Sequence, residues 1–467
     1  MAEDGARVGC EAWRAVGGGV AGALRPTLPW AAGAMGSWGN RRVVAVHLGR
    51  PSPRLSAFLT LLNDRMGESI VFPLLPFLLA DFSSDGRMIG LLAGSYAVAQ
   101  FLATPLIGAL SDRYGRRPVM ALCVGGTVLG LGLFALTVIL PWQRLWPAAS
   151  SAGLPIALLF AARLIDGFSG GTAATAGAVL ADISPPEQRA RAFGLIGVAF
   201  GLGFILGPAI GGLLALHSVA LPLLLATAFA LVNLVVVLTL LPETLPVDQR
   251  QPLPRRRDLQ PFSQLAGVFS NGEVRRLSAA FFLFFLAFNG FTAMLVLYFR
   301  QAYAWGPDRA TLAFLVVGVV ATVVQGGLIG PLVKRLGEWR LSLVGLGSVI
   351  VGCLLIPLVS REAAVPLVYV SVALLAVGTG LVTPCLRSQV SRRLDRSGQG
   401  AALGSLQGLQ SAGSFLGPPL AGLAYETIGQ RSPFWLSTIL MMLVAWLVAG
   451  RPGRQAPPTP NPEAAPG

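Results

Sequence analysis

Residues 194–212 read GLIGVAFGLGFILGPAIGG, and residues 404–422 read GSLQGLQSAGSFLGPPLAG. The first stretch sets Gly194, Gly203, Gly207, Pro208, Gly211 and Gly212 at the spacing G-x8-G-x3-G-P-x2-G-G. The second repeats it as Gly404, Gly413, Gly417, Pro418, Ala421 and Gly422, offset by 210 residues throughout. Both copies lie in apolar stretches long enough to cross a bilayer. Gly203, Gly207 and Gly211 share one helical face, as do Gly413, Gly417 and Ala421. Small residues at that spacing let membrane helices approach closely, and each proline removes a backbone hydrogen bond and can bend its helix. Ordinary tight packing accounts for either copy alone. Two copies at a fixed offset favour a shared mechanical role, such as the interface along which two halves rock.

Composition puts most of the chain in lipid. Of 467 residues, 54% are hydrophobic and only 12% charged, against about 25% charged in soluble domains. Twelve apolar segments are each long enough for a span: about 55–80, 88–110, 118–140, 154–181, 190–214, 219–241, 276–299, 310–333, 341–360, 364–387, 400–424 and 432–450. The runs are continuous, not alternating, so they predict helices and not a barrel. The expected fold is an all-α membrane protein of two pseudo-symmetric six-helix halves, 51–241 and 276–450. A cytoplasmic linker, 242–275, joins them. Residues 1–50, rich in Gly, Ala and Arg, predict a disordered extension or a start codon set too early, with an organelle transit peptide as the alternative. The Pro-rich tail 451–467 predicts disorder. Within the linker, Leu259, Phe262, Leu265 and Phe269 recur near helical spacing and fit a surface helix; a solvated linker fits equally.

The net charge of +14 does not point to nucleic acid, because its distribution follows the membrane. The expected inner loops hold 18 Arg and Lys, the outer loops six. That asymmetry sets both termini in the cytoplasm. Cys10, Cys123, Cys353 and Cys385 lack metal or redox spacing, and His47 and His217 stand alone, so no metal site is expected. Gly167-Phe-Ser169-Gly170-Gly171 matches a nucleophile elbow but lies inside a span, without the strand-turn-helix that motif needs. Lys334 is preceded by Val333, so no P-loop exists. An enzyme is not expected, nor an ATP-driven pump.

Ionisable residues inside the spans are few: Asp64, Arg65 and Glu68 in the first, Arg163 and Asp166 in the fourth. Charge in a membrane is costly, so such residues usually serve function. Asp64 and Glu68 share a helical face, as do Arg163 and Asp166. Burial disfavours an ionised carboxylate and a neighbouring arginine favours it, so carboxylates that trade an arginine partner make a proton switch. Glu68 is the expected proton carrier, with Asp64 assisting, Arg163 tuning it and Asp166 completing the proton-coupling set; a purely structural ion pair between the two spans is the alternative. Gln100, Asn289, Gln325, Gln407 and Gln410 are the expected polar lining of a substrate cavity. A C-terminal half without mid-span charge suits an apolar or weakly polar substrate.

Four local patterns carry a family resemblance. They are Asp64-Arg-Met-Gly67 through Pro73 and Pro76; the loop Gly108-Ala-Leu-Ser-Asp112-Arg113-Tyr-Gly115-Arg116-Arg117; Arg163-Leu-Ile-Asp166-Gly167; and the Gly-Pro signature. A degenerate copy of the loop, Gly330 to Trp339, follows the eighth span. The chain resembles the major facilitator superfamily, and within it the twelve-span drug/proton antiporters typified by tetracycline efflux pumps. The resemblance implies proton-coupled efflux of a small lipophilic compound by alternating access, in a monomer. It needs no cofactor beyond the proton gradient and has no nucleic-acid partner. The implied location is the cell (inner) membrane, or an organelle membrane in a eukaryote. Glu68 departs from the tetracycline-pump pattern, where that position looks apolar. The resemblance also implies that Asp112 sits near the N-terminus of the eleventh span and holds the outward-open state. A metabolite facilitator or symporter, and a non-transporting scaffold or receptor, are the rival readings.

Overall fold

The computed structural model describes residues 53–80, 82–145, 153–184, 189–251, 272–359, 364–391 and 399–450. The readings for 1–50, for the amphipathic stretch 259–269 and for 451–467 lie outside these residues, as does much of the 242–275 linker. The first helices are α1 (Pro53–Leu78), α2 (Gly86–Tyr114), α3 (Arg116–Ile139), the single turn α4 (Trp142–Leu145), α5 (Gly153–Ser169), α6 (Thr172–Asp182), α7 (Arg189–Ala215) and α8 (Leu221–Leu240). The remainder are α9 (Gly272–Tyr303), α10 (Pro307–Val323), α11 (Ile329–Leu358), α12 (Ala364–Ser391), α13 (Gln399–Thr427) and α14 (Ser432–Ala449). No strand occurs among the described residues.

These helices cover the twelve expected stretches, with two local departures. The fourth span breaks into α5 and α6 around Gly170 and Gly171. The eighth and ninth run on as one helical stretch, Pro307–Leu358, through a π turn at Val324–Leu328. It bends at Gly337, whose φ of 76° suits glycine. Among the described residues eight helical stretches are long and apolar enough to cross a membrane, Pro307–Leu358 counting once. Helices α1, α7 and α13 are not among them. Their 26, 27 and 29 residues nevertheless give roughly 40 Å each at 1.5 Å per residue. Charges interrupt α1, while glycines and amides thin the hydropathy of α13.

Helix pairing repeats between the halves. In the first, α1 packs on α7 and α8, α3 on α5 and α8, and α2 on α5. In the second, α9 packs on α13 and α14, α11 on α12 and α14, and α10 on α12. Counted as spans, these are the same five pairings. Two seams cross between the halves, α2 on α13 and α7 on α10, and they too are equivalent. Phe281, Phe284, Phe291 and Phe299 of α9 are buried in the main core, with Phe291 edge-on to Phe434 at 5.2 Å between ring centroids. Leu122, Leu129, Val232 and Trp446 instead present their side chains outward, which is the surface expected when the surrounding solvent is hydrocarbon.

Candidate functional site

The charged turn of α1 is buried and paired. Arg65 lies between two carboxylates: Nε and Nη2 donate to Asp64 Oδ2 at 3.1 and 2.5 Å, and Nη1 donates to Glu68 Oε2. Asp64 and Arg65 are buried, while Glu68 keeps 26% of its side chain exposed. The guanidinium on Glu68 is therefore Arg65. Arg163, expected to tune Glu68, instead lies 3.8 Å from Asp166 on its own helix, Nη1 to Oδ2. Arg163 is 3% exposed, and its Nε and Nη1 make no hydrogen bond. On α3, Gly130 packs against Asp166: a methyl there would stand 2.7 Å from its Cβ.

One residue that sequence reasoning passed over completes this cluster, and a second lies apart from it in the other half. The Tyr96 ring, on α2, lies under the Arg163 guanidinium, whose Cζ is 4.7 Å from the ring centroid. Gln100 Nε2 reaches the Tyr96 hydroxyl at 3.3 Å and the carbonyl of Gly170 at 3.2 Å. The second overlooked residue is Arg387, near the end of α12. It donates to Gln410 Oε1 at 2.5 Å and stands 5.8 Å from the Phe281 centroid. Its position at the end of an apolar run made it look like a loop charge. Arg387 is thus a part-buried charge near the end of its helix, outside the mid-span stretch expected to be free of charge.

The remaining amides divide. Asn289 donates back to the Phe285 carbonyl at 2.8 Å, a bond within its own helix. Gln325 is exposed in the π turn. The Gln407 side chain lies outside the described residues.

The glycine stripes face inward within each half. A methyl on Gly203 would stand 2.6 Å from Arg65 Cβ; one on Gly207, 3.0 Å from Ser69 Cβ; one on Gly211, 3.5 Å from Ile70. The Ser69 hydroxyl donates to the Gly203 carbonyl at 2.7 Å. The stripe of α7 thus seats on the charged turn of α1. In α13, Gly413 and Gly417 likewise meet Leu286 and Gly290 of α9. The stripes are packing faces inside the halves, not the surface between them. Contact across the seams comes from their neighbours: Gly212 against Thr311, Pro418 against Gly90, Gly422 against Gly86. The Pro208 side chain lies outside the described residues.

On α2 a third glycine stripe, Gly86, Gly90 and Gly94, closes the seam with α13. A methyl on Gly94 would meet the Phe415 carbonyl oxygen at 2.8 Å and Pro419 Cγ at 2.9 Å. The Gly86 N–H donates to Glu426 Oε1 at 2.6 Å. At the same end, Arg300 of α9 donates to the Pro76 carbonyl of α1 at 3.0 Å. At the opposite end, a methyl on Gly108 or Gly330 would meet nothing within 4 Å.

The loop after α2 is held by charge. Arg116 donates to Asp112 Oδ1 at 2.5 Å, to Ser111 Oγ at 2.6 Å and to Asp182 Oδ2 at 3.0 Å. Glu243 caps α3, accepting from the backbone N–H groups of Arg116 at 2.8 Å and Arg117 at 3.2 Å. An acid suits that helix end. Gly115 turns the chain with φ 105°. Arg113 stands 5.4 Å from the Tyr114 centroid, and Arg117 donates to the Leu238 carbonyl. The approach to the N-terminus of the eleventh span lies outside the described residues.

Two half-bundles with repeated pairings, seams at the second/eleventh and fifth/eighth spans, and ion pairs buried in the first and fourth define a secondary transporter. The profile of the Major Facilitator Superfamily matches residues 57–408 and 363–467, and the chain belongs to that family. It is 33% identical over 370 residues to the class C tetracycline resistance protein of Escherichia coli, covering 78% of this chain and 88% of that protein. It is 28% identical over 468 residues to human major facilitator superfamily domain-containing protein 10, covering 88% and 93%. The crystal structure of that human protein, described as an organic anion transporter, superposes with TM-score 0.63 over 85% of this chain and 98% of that one. A D-xylose-proton symporter, 16% identical with TM-score 0.67 over 85% and 96%, shares the fold.

Proposed function

We propose that this transporter is a proton-coupled antiporter that exports a small lipophilic compound. The observation that carries the reading is the Asp64–Arg65–Glu68 turn: two carboxylates share one buried guanidinium, and one of them, Glu68, keeps partial access. A proton arriving on Glu68 releases Arg65 to Asp64 alone, so the pair can hold or yield a proton without leaving the cation unpaired. Because the α7 glycine stripe packs on this turn, a rearrangement there reaches the bundle at once. The halves 51–241 and 276–450 then alternate about the site. With both termini cytoplasmic in the cell membrane, the Asp85 end faces outward, and the closed α2–α13 seam makes this the cytoplasm-facing state.

The substrate reading follows the relatives and Arg387. Relatives named for tetracycline resistance and for organic anion transport suit a lipophilic compound bearing an acidic or electronegative group, which Arg387 and Gln410 would meet. The single chain supplies both halves, so a monomer suffices, and the proton gradient replaces a cofactor. The test is uptake of tetracycline into inverted membrane vesicles under an imposed pH gradient. Wild type accumulates it and Glu68→Gln, at equal abundance, does not. Accumulation indifferent to the pH gradient in wild type would instead support the facilitator reading.

A further inference from the structure

Helix α2 has two working faces. Gly90 and Gly94 press on α13 and seal the seam between the halves. Tyr96, two residues beyond Gly94, lies about 200° round the helix, on the face turned to α5. The contact there is equally close: a methyl on Gly167 would meet Ala99 Cβ at 2.7 Å and strike the Tyr96 carbonyl. Tyr96 is 5% exposed. Its ring carries Arg163, and its hydroxyl accepts from Gln100, which also holds Gly170 at the break between α5 and α6. The charges of Asp64, Arg65 and Glu68 on α1 and of Asp166 on α5 act on its phenol. From α3, Gly130 packs against Asp166, and Cys123 and Thr127 are buried on the same helix, close enough to Asp64 and Asp166 for charge to act between them.

From this geometry we infer that Tyr96 is a positioning residue that ties the charge state of the buried carboxylates to the α2–α13 seam. The inference rests on the proton-coupling reading above. With Asp166 ionised, the Arg163 guanidinium is shared between the carboxylate at 3.8 Å and the Tyr96 ring at 4.7 Å. With Asp166 protonated, the attraction to it is lost and the Tyr96 face becomes the stronger hold. Arg163 is suited to this exchange because Nε and Nη1 are not committed to hydrogen bonds. A shift of the guanidinium loads α2 from one side, and the glycine seam is the contact on the other. The hydroxyl–Gln100–Gly170 bridge transmits the same load to the broken fourth span. Charge at the site and closure of the seam are thereby one equilibrium.

The test needs no substrate. Spin labels at Arg87→Cys and Thr427→Cys, both exposed at the seam's end, report its opening by pulsed dipolar distance measurement. The background has the four native cysteines replaced by alanine. In the parent, the open fraction changes with pH between about pH 4 and pH 8, the range over which burial spreads carboxylate titration. Tyr96→Leu, which removes the ring, moves the midpoint by about one pH unit or abolishes the transition; one unit is a tenfold change in proton affinity. Tyr96→Phe, which keeps the ring, stays within roughly half that shift. Arg163→Lys keeps the charge but loses the planar stack. It reproduces the shift, and so serves if the leucine variant does not fold. A Tyr96→Leu or Arg163→Lys midpoint equal to that of the parent overturns this inference and leaves proton coupling standing. A parent whose distances ignore pH overturns both.

Discussion

Replacing Gly90 with alanine tests whether the α2–α13 seam is the contact that opens. The added methyl would strike the Pro418 carbonyl oxygen and stand 3.0 Å from its carbon and 3.3 Å from Pro419 Cα. These are backbone atoms, so none of the three can rotate away. Overpacking of this kind costs about 1–3 kcal/mol. In a rigid core that cost would appear as lost stability. Here only the closed seam bears it, because opening separates the two helices. At about 1.4 kcal/mol per factor of ten, the open-to-closed ratio rises roughly 5- to 150-fold. The labels at Arg87→Cys and Thr427→Cys read that ratio directly, and Gly108→Ala, where a methyl meets nothing within 4 Å, is the control. A Gly90→Ala protein with the parent's distance distribution and a lowered unfolding temperature would refute the reasoning, since the seam would then be a fixed core contact.

Other perturbations separate structural from coupling roles. Arg65→Ala leaves two adjacent carboxylates without their shared cation and should cost about 3–5 kcal/mol, read as reduced thermal stability in detergent, with partial recovery in Arg65→Ala combined with Asp64→Asn. Gly115→Ala forces a non-glycine residue to φ 105° and drives a methyl against the Glu243 carboxylate, so it should destabilise by about 1–3 kcal/mol in the same assay. Asp112→Asn weakens its pairing with Arg116, which Asp182 and Ser111 still hold; transport should fall while yield and melting temperature stay near wild type. Unchanged transport would remove Asp112 from the conformational mechanism.

The sequence made the architecture legible because membrane helices announce themselves by length, and a repeated glycine spacing is hard to produce twice by chance. The buried ion pairs were legible for a similar reason: charge inside an apolar run is conspicuous. What the sequence could not supply was partnership. The spacing of Gly203, Gly207 and Gly211 marks a small face but not the helix it meets, and that helix is α1, not the opposite half. Gly86, Gly90 and Gly94 carry the same spacing, yet they begin at the edge of an apolar run and lack a second copy. Arg163 and Asp166 sit correctly for pairing, but Tyr96 is a lone aromatic 67 residues earlier, and only the fold of α2 against α5 brings its ring under the guanidinium. Glu243 reads as a linker acid until the chain returns it to the start of α3. Arg387 counts with the inner-loop charges because hydropathy ends a span wherever charge begins, whereas the helix α12 continues to Ser391.

Proton release decides the central claim most directly. Purified protein in weak buffer is mixed with a panel of lipophilic compounds that includes tetracycline, wild type beside Glu68→Gln, and the pH of the medium is followed. Release from wild type alone, on addition of a compound that both proteins bind, is the predicted result and places the exchangeable proton at Glu68. Binding to wild type without any release would contradict antiport.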